Sequence, residues 1–510
     1  MTNQQITLRV RDSHTFIEGR LDGEVYKGLK KALGYKDDQA IWKMPKDKNG
    51  RPKGNWDGWQ TTVCYSKHHC KCSIKKDGTH FPTGLLTKAR DYFGEVNQPY
   101  GLIDERKPIK KTTSFSMTEE FEPRDYQQEI IRRACDSERG IIKMATGGGK
   151  TATASGIIAA LGVKPFIFYV TSVDLLKQAK AELEKFIRED GQPLSVGSIG
   201  DGKCDIQDVN IMTVQTAVRA LGARFTKFDD EDSGSDKKAM SKADKKDIAE
   251  LIHESGGMMC DEVQHWAAKT CQVIADHSVN ARFRYGLSAT PWRDAGDDIL
   301  IDACFGKPIA DINASFLIDK KILVPPSIYF VHMPRLEMDG QYATVYKDAI
   351  VENDHRNVTI ANIAEQMVDQ GRQVLILCKH IAHGEILEGL INDSFFIHGS
   401  HTSKQREDWL NKMRNKEAKV TIATSIFDEG VDVKPLDGLI LAGSGKSQTR
   451  ALQRIGRVIR KYECPDTGFI KKDAFVVDFF DNVKYMRGHS MKRKHIYNTE
   501  PRFDVKDWKI

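Results

Sequence analysis

Residues 139–161 read Arg139-Gly140-Ile141-Ile142-Lys143-Met144-Ala145-Thr146-Gly147-Gly148-Gly149-Lys150-Thr151-Ala152-Thr153-Ala154-Ser155-Gly156-Ile157-Ile158-Ala159-Ala160-Leu161. A short apolar run, a glycine loop and an Ala/Ile-rich stretch in that order predict strand, loop, helix. Glycines in such a loop let backbone N–H groups close around phosphate oxygens. Thr146, Gly147, Gly148 and Gly149 are the expected cradle, Lys150 the cation that reaches the β and γ oxygens, and Thr151 a ligand for Mg²⁺. The strict pattern has glycine five residues before Gly149, where this chain carries Met144.

The same alternation extends outward. Pro165 to Thr171 reads as a buried strand leading into a helical stretch from Leu175 to Ile187, and Val209 to Val214 and Met258 to Cys260 are further short apolar strands. A second set runs through Gln373 to Cys378, Ser394 to Ile397, Val420 to Ala423, Gly438 to Ala442 and Ala474 to Asp478, with helical segments between. Strands alternating with helices imply parallel sheets covered on both faces, so the expected fold class is α/β with two tandem parallel-sheet domains. A small basic α+β domain is expected ahead of them. The expected boundaries are a domain over 1–103, a linker over 104–120, a first parallel-sheet domain over 121–305, a connector over 306–324, a second parallel-sheet domain over 325–480 and a basic tail over 481–510. Residues 229–246, rich in Asp, Ser, Gly and Lys, are expected to be a mobile insertion.

Composition narrows the function classes. The chain has 510 residues, 40% hydrophobic and 29% charged, which is enough apolar content for several cores. Its longest uncharged apolar stretch, Pro165 to Val173, is far too short to cross a bilayer, so a membrane protein is excluded at this stage. The start lacks a secretory pattern and the ten cysteines are scattered, which points to reduced thiols in a cytoplasm, bacterial or that of a phage-infected host. Net charge is +6, unevenly spread: residues 1–119 hold 22 Lys/Arg against 14 Asp/Glu, and residues 482–510 hold 8 against 3. Basic ends flanking a mildly acidic body suit an anionic polymer, because neutralising phosphates releases counterions. Solvated lysine faces account for the same charge equally well.

Two further patterns carry chemistry. Met258-Met259-Cys260-Asp261-Glu262 ends a short strand in adjacent carboxylates, whose side chains point different ways. Asp261 can then join the Mg²⁺ shell while Glu262 orients and deprotonates water. Gln453-Arg454-Ile455-Gly456-Arg457-Val458-Ile459-Arg460 places Arg457 and Arg460 at helical i, i+3 spacing, as candidates to neutralise charge developing on a transferred phosphate.

These motifs resemble, in order and spacing, those of superfamily 2 DNA helicases. That resemblance implies RecA-like domains, ATP with Mg²⁺ as cofactors, and DNA as partner. It gives Arg124-Asp125-Tyr126-Gln127 the reading of adenine, through Gln127 and Arg124. It makes Thr171, Gln178, Gln215 and Thr216 DNA contacts of the first motor domain. Ser288-Ala289-Thr290 looks like the motif coupling hydrolysis to strand movement. His398, Thr424 and Ser425 match DNA-contacting positions of the second domain, Gly430 and Asp432 nucleotide-contacting ones, and Gln453 joins the arginines. Asp261-Glu262-Val263-Gln264-His265 and Ser288-Ala289-Thr290-Pro291-Trp292-Arg293 look most like the XPB group and phage branch-migration helicases of the UvsW type. Gln264 stands where that group usually has histidine, which leaves its contact to the γ-phosphate or Ser288 open. Gly54-Asn55-Trp56-Asp57-Gly58 resembles the small domain preceding the motor in the phage proteins.

The implied activity is ATP-dependent remodelling of single-stranded, forked or branched DNA, alongside recombination or replication proteins. A motor subunit of a restriction or defence complex, an RNA helicase, and a nucleotide-gated clamp are the rival readings. In the basic N-terminal region Lys53 and Lys71 are expected backbone contacts, with Trp56, Trp59, Tyr65 and His80 either stacking on bases or filling a small core. Cys64, His68, His69, Cys70 and Cys72 cluster there, but the spacing fits no common zinc pattern and alternating cysteines on a strand share one face. Buried thiols of a basic hairpin are the expectation.

Overall fold

Alternation in Ile6-Thr7-Leu8-Arg9-Val10 turns Ile6, Leu8 and Val10 inward and forms strand β1 (Ile6–Val10). The computed structural model describes residues 5–37, 59–66, 70, 72, 77–109, 111–223, 240–292, 296–424, 433–443, 445, 447–464 and 468–509. Strand β2 (His14–Glu18) pairs antiparallel with β1, a helix over Gly23–Ala32 follows, and β3 (Gly34–Lys36) pairs with β4 (Trp59–Thr61). Strand β5 (Thr79–Pro82), a helix over Leu86–Glu95 and β6 (Tyr100–Asp104) complete a four-stranded sheet in the order β5-β2-β1-β6.

Chain contacts divide the molecule into two units, Met1–Met144 with Gly149–Asp311 and Ala145–Gly148 with Ile312–Ile510. The first unit therefore contains the N-terminal sheet, which the sequence suggested as a separate domain ending at 103. The physical reason is a shared core: Leu29, Phe81, Leu85 and Phe93 pack with Ala303, and Ile299 lies against them. Gly84 approaches so closely that a Cβ would sit 2.2 Å from the Asp302 carbonyl oxygen, and Lys88 pairs with Asp302 at 2.7 Å.

The remaining strands of this unit are β7 (Phe115–Met117), β8 (Arg139–Met144), β9 (Phe166–Val170), β10 (Ile187–Glu189), β11 (Gln192–Pro193), β12 (Val196–Gly200), β13 (Lys203–Asp205), β14 (Val209–Thr213), β15 (Gly257–Cys260), β16 (Phe283–Ser288) and β17 (Pro308–Ile312). Eight of them form one sheet in the order β13-β12-β14-β9-β15-β16-β8-β17. Its central pairs are parallel, and β9, β14 and β15 are buried along their whole length because helices cover both faces. Several expected connections turn out to be structure. The 104–120 linker contains β7, which pairs with β10, and the 306–324 connector supplies β17 and a helix over Ala314–Asp319. Of the expected 229–246 insertion, residues 229–239 lie outside the described residues. Residues 242–246 open a helix over Lys242–Glu254, started by Ser241, whose hydroxyl accepts from the Asp244 N–H at 3.0 Å.

The second unit is a seven-stranded sheet built from β18 (Pro326–His332), β19 (Val374–Leu377), β20 (Ser394–Ile397), β21 (Val420–Ala423), β22 (Gly438–Leu441), β23 (Ala474–Phe480) and β24 (Asp504–Lys509), in the order β20-β21-β19-β22-β23-β18-β24. Every recorded pairing in it is parallel. The expected tail over 481–510 is part of this unit. Its helix Met486–Tyr497 buries Arg493 in a double hydrogen bond to Asp478 at 2.8 Å each, and β24 pairs with β18.

Candidate active site

The nucleotide chemistry collects at the carboxyl ends of adjacent strands of the eight-stranded sheet. β16 lies between β15 and β8, so the segments after these three strands emerge side by side. Met144 is the fully buried last residue of β8, so the departure from the strict glycine pattern is a core residue and the loop starts one position later. Gly147 and Gly149 both have left-handed backbones, φ 86° and 85°, and Gly149 is the N-cap of the helix Lys150–Leu161. Gln127 packs on that cap: a Cβ at Gly149 would come within 2.6 Å of its side-chain nitrogen. Gln127 is buried and also accepts from the Arg124 N–H at 3.0 Å, so both expected adenine-reading residues are tied to the phosphate loop. Lys150 and Thr151 are half-buried in the first turn of that helix.

Asp261 and Glu262 follow β15. The Asp261 N–H donates to the Tyr169 carbonyl at 3.0 Å, and its carboxylate accepts from the Glu262 N–H at 3.0 Å. Glu262 has φ 51°, a conformation disfavoured for a residue with a side chain, and it starts a 3₁₀ turn over Val263–Ala267. That turn brings Gln264 back beneath it. Gln264 Nε2 donates to Glu262 Oε2 at 2.9 Å while its Oε1 accepts from Ser288 Oγ at 2.7 Å. Ser288 Oγ also lies 3.3 Å from Glu262 Oε2 and accepts from the Thr290 N–H at 3.0 Å. Of the two contacts left open for Gln264, the structure contains the one to Ser288, the amide linking it to the Glu262 carboxylate with both ends engaged. Beneath the pair, burial, then Cys271 and Asp261, hold the Cys260 thiol well above its ordinary range, so it is neutral filler.

The loop and carboxylates suit ATP with Mg²⁺. Left-handed glycines expose backbone N–H groups at a helix start, and a hydroxyl with a carboxylate, from Thr151 and Asp261, is a hard-oxygen donor set.

The expected DNA contacts of this unit separate by exposure. Gln178 is exposed and donates to Glu182 at 3.1 Å, and Gln215 Nε2 donates to the Thr171 carbonyl at 2.8 Å, bringing those two segments together. Thr216 is buried and its hydroxyl accepts from Thr213, which caps the helix Val214–Ala220, so its side chain serves the fold. His80, offered as a stacking ring, is fully buried, whereas Trp59 and Tyr65 are exposed. Lys53 and Lys71, like the segment 54–58 and Arg293, lie outside the described residues.

In the second unit His398 follows β20 and packs edge-on to His401 at 4.3 Å, and Thr424 is buried after β21 with its N–H donating to the Ile397 carbonyl at 3.2 Å. Gln453 is buried and Arg457 half-buried on the helix Gln448–Val458. Arg460 is not on that helix. The helix ends at Val458 because the chain turns to pair with the segment before β18, the Val324 N–H donating to the Ile459 carbonyl at 2.8 Å and Arg460 forming an isolated bridge with Leu323. The two arginines therefore do not share one helical face. Ser425, Gly430 and Asp432 lie outside the described residues. Sequence reading missed Lys471, whose buried ammonium donates to the carbonyls of Lys434, Leu436 and Val458 at 2.9–3.0 Å and so holds the end of the arginine-bearing helix.

Residues 120–293 match the family described as Type III restriction enzyme, res subunit, and residues 357–462 match the Helicase conserved C-terminal domain. The chain belongs to the superfamily 2 helicases. Among its helicase relatives is the ATP-dependent DNA helicase uvsW of Enterobacteria phage T4, 21% identical over 495 residues, covering 88% of this chain and 89% of that protein. A Rad25 protein of Halobacterium salinarum is 27% identical over 346 residues, 66% of this chain; the helicase aligns with only 52% of that relative's length. An HsdR-subunit fragment from Vibrio vulnificus YJ016 shares the fold, with TM-score 0.54 and 17% identity, covering 88% of this helicase and 91% of the fragment. Among the described residues no helix is long and apolar enough to cross a membrane.

Proposed function

We propose that this helicase is an ATP-driven DNA translocase that remodels forked or branched DNA. The observation that carries the reading is the chain of hydrogen bonds from Glu262 through Gln264 to Ser288, which ties the expected water-activating carboxylate to the expected coupling strand. In this mechanism Gly147 to Gly149 and Lys150 hold the phosphates, Gln127 and Arg124 select the base, and Thr151 and Asp261 hold Mg²⁺. Held by those two residues, Mg²⁺ would supply the positive charge that offsets the triphosphate's. Glu262, aimed by its left-handed backbone and by Gln264, orients the attacking water and takes its proton. Ser288 and Thr290 sense that step and pass it to Thr171, Gln178 and Gln215. Arg457, Arg460 and Gln453 act on the nucleotide, and His398, Thr424 and Ser425 hold the strand. Gly430 and Asp432 complete the nucleotide contacts.

The branched-DNA part rests on the alignment with the phage T4 DNA helicase along most of both chains, and on the basic N-terminal region, where Lys53 and Lys71 are proposed phosphate contacts. The Rad25-type relative carries the description 3′-5′ helicase, and we assign the same polarity here. The test is labelled fork, four-way junction, duplex and RNA duplex, each with and without ATP. ATP-dependent separation of forks and junctions is expected, with RNA inert. Activity on RNA alone would replace this reading, and a co-purifying nuclease subunit with DNA translocation but no strand separation would favour a restriction motor, the reading that the res-subunit match supports.

A further inference from the structure

Away from the nucleotide site, three cysteines and a histidine converge in the first unit. Cys64 stands opposite His80 of β5 in an antiparallel bridge, with backbone hydrogen bonds of 2.9 and 2.8 Å. His80 Nε2 lies 3.4 Å from Cys70 Sγ and 3.6 Å from Cys72 Sγ. The ligand atoms of Cys64, Cys70, Cys72 and His80 all fall within 4.8 Å of one another. Cys64, Cys70 and His80 are buried and Cys72 is half-buried.

The two imidazole-to-sulfur distances are those of a coordination shell, and the remaining ligand atoms lie close enough to complete it. Tetrahedral bonds of about 2.3 Å to sulfur and 2.0–2.1 Å to nitrogen separate a sulfur from a nitrogen by roughly 3.6 Å and two sulfurs by roughly 3.8 Å. The imidazole is also set for the role. Its Nδ1 lies 2.9 Å from the Gly78 carbonyl oxygen, which can only accept, so Nδ1 carries the proton and Nε2 turns its lone pair to the sulfurs. An outer layer follows, with Cys72 Sγ 3.3 Å from His14 Nε2, which in turn lies 3.6 Å from Asp276 Oδ1 on the helix Lys269–His277. The expectation of plain buried thiols rested on the cysteine spacing and on strand alternation, with His68 and His69 as the neighbouring histidines. It lacked His80, which pairing of β5 with β2 brings in from eight residues beyond Cys72.

We propose that Cys64, Cys70, Cys72 and His80 bind one structural zinc ion. Three thiolates and one neutral imidazole suit Zn²⁺, a metal without geometric preference that favours four-coordinate S/N sites, and binding releases the three thiol protons. The ion ties Cys64, Cys70 and Cys72 to His80 of β5, and His14 with Asp276 links the site to the larger sheet's helix layer. This metal assignment stands independently of the DNA reading.

The test uses the full chain purified without chelators. Elemental analysis is expected to give about one zinc per chain, and X-ray absorption at the zinc edge a shell of three sulfurs and one nitrogen. Exchange for Co²⁺ is expected to produce thiolate-to-cobalt charge-transfer bands that stoichiometric Zn²⁺ abolishes. Cys70→Ser and His80→Ala lose the metal, while Cys204→Ser, outside the cluster, retains it. Zinc far below one per chain with no cobalt spectrum, or a zinc shell of oxygen and nitrogen without sulfur, overturns the assignment on the wild-type protein whether or not the variants fold.

Discussion

Replacing Gln264 by alanine removes the amide that joins Glu262 to Ser288. Its two hydrogen bonds are 2.9 Å to a carboxylate and 2.7 Å from a hydroxyl. A bond to a charged group contributes roughly 1.5–3 kcal/mol and a neutral one roughly 0.5–1.5 kcal/mol. Ser288 recovers part of the loss, because its hydroxyl already lies 3.3 Å from Glu262 and can turn to it. About 2 kcal/mol of positioning is then removed from the carboxylate, equivalent to a roughly 30-fold fall in the hydrolytic step. Phosphate contacts are untouched, so the KM for ATP stays within about twofold. The assay is single-turnover ATP hydrolysis at saturating DNA, where product release does not mask chemistry. Two further substitutions sharpen it. Gln264→His keeps a donor toward Glu262 and recovers most of the rate. Gln264→Glu replaces the donor by a second carboxylate that repels Glu262, so its rate is expected to fall at least as far as that of Gln264→Ala. A Gln264→Ala rate within twofold of wild type, or a defect confined to KM, would refute the claim that this amide aims the base.

Lys150→Ala is expected to abolish ATP binding along with turnover, measured by nucleotide affinity at equilibrium; retained affinity would remove Lys150 from the phosphate site. Arg457→Ala is expected to fold and bind ATP but to lose turnover by about 10³-fold, the scale of a charge-neutralising arginine, and unchanged turnover would reassign it. Buried His383 donates from Nε2 to Asn357 Oδ1 at 3.0 Å, and burial, then Arg356, lowers its pKa to about 3. Because the unfolded chain binds that proton from about pH 6.5 downward while the folded state does not, stability falls with pH in that window. At pH 5 the loss is about 2 kcal/mol. Denaturant unfolding of the second unit at pH 7 and pH 5 should show this difference in wild type and not in His383→Gln; equal loss in both would assign it to other groups.

What the sequence revealed follows from what each signal depends on. Buried parallel strands are uniform apolar runs, so β9 and β14 stood out, and the phosphate loop and the Asp261-Glu262 pair each lie within a few residues of such a strand. β24 was illegible because Asp504-Val505-Lys506-Asp507-Trp508-Lys509 is an edge strand held by backbone pairing to β18, with charges along it. The helix stop before Arg460 depends on Val324, more than a hundred residues earlier, and periodicity cannot see that pairing. Cutting the chain at charge shifts separated the N-terminal sheet from Ile299 and Ala303, although they form one core. His80 entered the cysteine cluster only through strand pairing. Gln264 was readable as a departure from a family pattern, but its two-sided contact needed the turn that Glu262 opens.

The central claim is that Glu262 performs the water activation that drives movement on DNA. The most direct measurement is ATP hydrolysis by wild type and Glu262→Gln, with and without forked DNA, alongside ATP affinity for both. The account predicts strong DNA stimulation in wild type, and in Glu262→Gln a fall of at least about 10²-fold with ATP affinity preserved. Hydrolysis by Glu262→Gln at the wild-type rate, or a wild-type rate indifferent to DNA, would contradict it.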